Sequence, residues 1–142
     1  MKTRLFTFVA ALSLFACNSS QGPEYTTPAE FGPVSFYPAV IKSDTDVTVE
    51  VPVTSEYGFS RVDIVYMLDD DSSDVKVASP RVFPSAEITS FTYSGKIPKQ
   101  KGGRKVTFQV RAITFYNVAA YSQVRSYTVP EDEEEEGGTQ PE

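Results

Sequence analysis

The chain has 142 residues, enough for one domain, and contains no histidine, no tryptophan and a single cysteine. That composition excludes histidine-based acid–base chemistry and an internal disulfide. The net charge of -6 is concentrated at the C-terminus, where Glu131, Asp132, Glu133, Glu134, Glu135, Glu136 and Glu142 hold seven of the nineteen acids, so no basic excess exists to attract nucleic acid.

Residues 1–16 read as a leader. Lys2 and Arg4 precede a short apolar stretch from Leu5 to Phe15, and the small Ala16 follows. The stretch is too short to span a bilayer, which takes about 20 residues. The sequence Leu14-Phe15-Ala16-Cys17 resembles the lipobox of bacterial lipoproteins, with Phe15 bulkier than the usual residue there. The resemblance implies cleavage before Cys17 and lipid, palmitate included, on that cysteine. It also implies a cell-envelope location; the outer membrane is the expectation, and because Asn18 and the following serines carry no clear sorting signal, the face that carries the protein is open. The alternative is an ordinary secretory leader with an incidental thiol. Residues 17–30, which include "NSSQGPEYTTPA", are polar and broken by proline and glycine, so they read as a flexible tether.

Residues 31–130 carry strand patterns. An opening strand covers Pro33 to Tyr37 and stops at Pro38. Valines at 47, 49, 51 and 53 then alternate with Thr48, Glu50 and Pro52. Pro52 lacks a donor and suits an edge or a strand end. Val62, Ile64, Tyr66 and Leu68 alternate with Asp63, Val65 and Met67. Pro80 and Pro84 mark 79–87 as an irregular crossover. Phe91, Tyr93 and Ile97 define a strand around Gly95, and Val106, Phe108, Val110 and Ala112 the clearest strand of all. A last strand runs from Tyr121 to Val129, with Tyr127 and Val129 inward. Turn chemistry separates the runs at "KSDTD" (42–46), "SEYG" (55–58), "DDDSSD" (69–74), "PKQKGG" (98–103) and "YNVA" (116–119). No stretch has a helical period. About seven short strands with regular turns predict an all-β, immunoglobulin-like antiparallel β-sandwich with disordered termini. Without a cysteine pair or core tryptophan, it is a fibronectin-III-like version held by packing alone.

The segments "DVTVEVPVTSEYGFSRVDIVYML", "GKIPKQKGGRKVTFQVRAITF" and "YTV" resemble the small immunoglobulin-like modules of bacterial cell-envelope lipoproteins. The shared features are the valine-rich strand Val47–Val53, the Ser55–Phe59 turn, Ile97-Pro98, and the strand Lys105–Ala112. The resemblance covers most of residues 31–130 and implies a fold, not an activity. Where many relatives have an acidic, glycine-bearing turn, this chain has Thr114-Phe115-Tyr116-Asn117-Val118.

Three features are candidates for function. Asp69, Asp70, Asp71 and Asp74 could attract calcium, but they lack EF-hand spacing. The simpler expectation is a solvated turn facing Lys99, Lys101, Arg104 and Lys105 at the same end of the sandwich. Tyr57, Phe59, Phe115 and Tyr116 belong to turns at the other end, where such domains bind partners. The alternative there is that Phe59 plugs the core and the tyrosines cover it. The tail 131–142 repels itself and reads as a disordered spacer. No glycine-rich phosphate loop, zinc spacing or catalytic constellation occurs, so no enzyme, cofactor or metal is expected. The expected function is a lipid-anchored module for protein binding or assembly at the membrane. A glycan-binding surface lipoprotein and a structural spacer without a ligand are the alternatives.

Overall fold

The computed structural model describes residues 25–132; the leader, Cys17 and the tail beyond Asp132 lie outside them. The described residues form nine strands and no helix. In chain order these are β1 (Glu30–Phe31), β2 (Ser35–Tyr37), β3 (Val47–Thr54), β4 (Phe59–Leu68), β5 (Lys76–Val82), β6 (Ser90–Ile97), β7 (Lys105–Thr114), β8 (Ala119–Tyr121) and β9 (Arg125–Thr128). One sheet has β3 between β6 and the pair β1 and β2. The other runs β5-β4-β7, with β8 and β9 side by side along the far edge of β7. Every pairing is antiparallel. The fold is an all-β sandwich of two antiparallel sheets.

The alternating residues fill the space between the sheets. Val47, Val49, Val51 and Val53 of β3 face Val62 and Ile64 of β4 and Val106, Phe108, Val110 and Ala112 of β7 across one core. Tyr93 and Ile97 of β6 and Val129 join it, while Tyr127 packs against it partly buried. Burying each such side chain contributes about 1.5–3 kcal/mol.

Four expectations need correction. Strand β5 passes through Pro80, where an irregular crossover was expected. It is an edge strand, so the missing proline donor breaks no ladder. The register shifts opposite Asp63, and Ser79 takes a φ of 48° to absorb the extra residue. Pro52 sits inside β3, neither at an edge nor at a strand end. Its carbonyl accepts from Gly32 N–H at 2.8 Å, on the side where β1 has ended and β2 has not begun. The absent donor faces that gap.

The last strand is two, β8 and β9, divided at Ser122, whose N–H donates to the Val110 carbonyl while its hydroxyl accepts from Val110 N–H. Finally, the stretch read as a tether is not free at its end. Ala29 is buried in the core and Glu30 pairs with Thr54.

Candidate functional site

Strand pairing decides which turns share an end. Phe59 pairs with Thr114, so the turn 55–58 lies beside the turn 115–118. Glu30 pairs with Thr54, which brings residues 25–29 to the same end. The turn 55–58 is closed by Ser55, whose hydroxyl donates to the Gly58 carbonyl at 2.8 Å. Gly58 has a φ of 74°, and a Cβ there would meet the Ala86 carbonyl oxygen at 2.5 Å. A glycine is therefore required for the 83–89 connection to pack down. The second turn is held by Thr114, whose N–H donates to the Val118 carbonyl and whose hydroxyl accepts from Val118 N–H. Asn117 supplies the left-handed residue, with a φ of 66°.

These two turns present Tyr57 and Tyr116, and Tyr25 lies across them. Tyr25 stacks on Tyr116 with centroids 4.1 Å apart and planes 10° from parallel. It meets Tyr57 edge-on at 5.1 Å, and Tyr57 meets Tyr116 at 5.6 Å and 90°. Tyr25 is 40% exposed, Tyr116 49% and Phe115 44%. Sequence reasoning missed Tyr25 because its neighbours are polar and its partners lie far along the chain.

Phe59 does not belong to this surface. It is fully buried, 5.5 Å from Phe83 and 5.1 Å from Phe91 between ring centroids. As the first residue of β4 it points into the core and seals its end. A groove of about 410 Å³ opens at the same end, lined by Thr27, Pro28, Glu30, Thr54, Ser55, Glu56 and Thr89.

The opposite end holds the aspartates. Asp69 accepts from Arg104 Nη1 at 2.8 Å and from Lys105 N–H at 3.0 Å. Asp70 accepts from Lys105 Nζ at 3.1 Å, and Asp74 from Lys76 Nζ at 3.0 Å. The backbone donor of Lys105, helped by Arg104, holds the Asp69 carboxyl below its ordinary value; hydrogen bonds from Ser73 do the same for Asp71. This is a solvated turn facing basic neighbours. Among the described residues no group of three or more acidic, histidine or cysteine side chains is arranged to hold a metal ion.

No family model matches the chain, and no curated protein matches it. Solved structures do. Two forms of the sensor domain of the anti-sigma factor RsgI4 from Pseudobacteroides cellulosolvens superpose with TM-scores of 0.50 and 0.51. The longer form is 20% identical, over 72% of this chain and 92% of that one; the shorter is 21% identical, over 74% and 97%. The likeness is one of fold. It matches the two-sheet sandwich described above.

Proposed function

We propose that the chain is a lipid-anchored protein of the bacterial cell envelope, in the outer membrane, whose single immunoglobulin-like sandwich is a non-catalytic binding or assembly module. Cys17 carries the acyl chains. The tyrosine end is the contact surface for a partner at the membrane. The observation that supports this most is the cluster of Tyr25, Tyr57 and Tyr116. Three separate segments bring the rings together, yet Tyr25 and Tyr116 keep 40% and 49% of their surface in water. The core below is already sealed by Phe59, so these rings are not needed to close it. Exposed, mutually supported aromatics are what a partner-binding surface uses. The sensor domain of RsgI4 shares this fold, which is in keeping with a sensing or binding module.

The test is in cells. A photoreactive phenylalanine analogue at position 116 of the full chain is expected to form a discrete adduct. The same analogue at the exposed Val40, at the opposite end, is expected to form none. A folded, membrane-bound protein with no adduct at 116 would remove the contact surface. Mass spectrometry showing a bare sulfur on Cys17 of the mature chain would remove the anchor.

A further inference from the structure

We propose that the tyrosine end takes a cationic protein segment, one that presents arginine. The inference rests on the contact-surface reading above and names the chemistry of the partner. The end is made by residues 25–30, 55–58, 83–89 and 115–118. Together they contain Glu30, Glu56 and Glu87, all exposed, and no lysine or arginine. The other end differs, because Asp69, Asp70 and Asp74 each have a cation of their own within 3.1 Å. Among the described residues none of Glu30, Glu56 and Glu87 forms a salt bridge, and Arg81, which borders the end, lies over the rings of Phe83 and Phe91.

The groove next to Tyr57 adds shape to that charge. Glu30 and Glu56 lie on its wall together with the side chains of Thr27, Thr54 and Thr89. Glu30, Glu56 and the hydroxyl residues supply its oxygen acceptors, beside the apolar Pro28. A guanidinium offers five donors and no acceptor, in a plane that also stacks on aromatic faces. Glu56 lines the groove, and Tyr57, the next residue, joins the tyrosine cluster. The chain stacks arginine on aromatic rings internally: the Arg81 guanidinium lies 4.8 Å from the centroids of both Phe83 and Phe91, and that of Arg125 5.0 Å from Phe36. An anionic bilayer surface is the competing occupant. The same three carboxylates repel it.

The chain has no tryptophan, so Tyr116→Trp places one fluorophore at this end. Val40→Trp places one at the opposite end, next to Glu131, and reports binding to the acidic tail separately. In the full chain, hexa-arginine is expected to change the emission of Tyr116→Trp saturably. The midpoint should weaken at least about tenfold in a Glu30→Gln/Glu56→Gln background, and again between about 50 and 500 mM salt. No emission change, an equal change with an uncharged glycine–serine peptide, or a midpoint indifferent to the glutamine substitutions overturns the proposal. A response to anionic vesicles without one to hexa-arginine overturns it in favour of the membrane. An adduct at position 116 in cells combined with no response to hexa-arginine overturns the cationic partner and leaves the contact surface standing. No adduct and no response ends both.

Discussion

Asp63 lies on the face of β4 opposite to the core valines, yet none of its surface reaches water. Both its oxygens are taken. Arg111 donates from Nε to Oδ1 at 2.9 Å and from Nη2 to Oδ2 at 2.6 Å, and Arg61 donates from Nε to Oδ2 at 2.7 Å. The bidentate fork is the stronger contact, and these hydrogen bonds hold the Arg111 pKa above its ordinary value. Removing an arginine leaves the carboxylate buried with fewer donors, which is where such pairs become costly. Arg111→Ala is expected to cost about 3 kcal/mol and Arg61→Ala about 1 kcal/mol. Urea midpoints of the two variants decide it, and equal losses would contradict the geometry. Alternation alone marked Asp63 as a solvent-facing residue. Its burial depends on Arg111, 48 positions away, and on the irregular β5 beside it.

At the scale of elements, strands β3, β4 and β7 were legible because strict alternation leaves one register that buries every valine. Phe108 of β7 is the largest side chain in that run and is nearly fully buried, 5.5 Å edge-to-face from Phe36. Phe108→Ala is expected to cost roughly 3–5 kcal/mol by calorimetry or urea melt, and a loss under about 1 kcal/mol would mean the inward face is misassigned. Edges were less legible. Pro80 argues against a strand only where both neighbours need its donor, and pairing partners are not written in local sequence. The two candidate turns were read at the right ends because strand count fixes them. Of the two readings of Phe59, the one that has it plug the core holds, since the first residue of β4 points inward once the turn closes at Gly58.

The aspartate turn ties two connections together, which gives it a pH signature. The carboxyls of Asp69 and Asp71 are both held below their ordinary value of 3.8. A carboxylate with a depressed folded-state pKa contributes stability above its unfolded value and loses it as pH falls through the folded one. Stability is therefore expected to be level above about pH 5 and to fall below about pH 4. Asp69→Asn should flatten part of that fall in chemical melts taken across the range. A variant falling as steeply as the parent would show that the Lys105 and Arg104 contacts do not contribute.

For the whole molecule, the two chain exits set the orientation. The N-terminal segment joins at the tyrosine end, through Tyr25 and Ala29. The C-terminal segment leaves at the other end, where Gly103 N–H donates to the Val129 carbonyl at 2.7 Å and Ser43 bonds Asp132. The ten-residue strands β4 and β7 separate the ends by about 33 Å. A lipid on Cys17, about eight residues before Tyr25, would leave the tyrosines within roughly 27 Å of the headgroups even with the linking chain drawn out straight. The acidic run beginning at Glu131 would then start from the far side of the sandwich. With that anchor, a partner for the tyrosine end would have to fit the gap, which would favour a slender segment over a bulky domain. In proteoliposomes of the lipidated chain with acceptor dyes at the bilayer surface, energy transfer from Tyr116→Trp is expected to exceed that from Val40→Trp. The steep distance dependence of transfer makes a separation of about 33 Å easy to resolve. Equal transfer from the two positions would mean that the sandwich lies flat or tumbles freely, and the restricted gap, with its preference for a slender partner, would no longer follow.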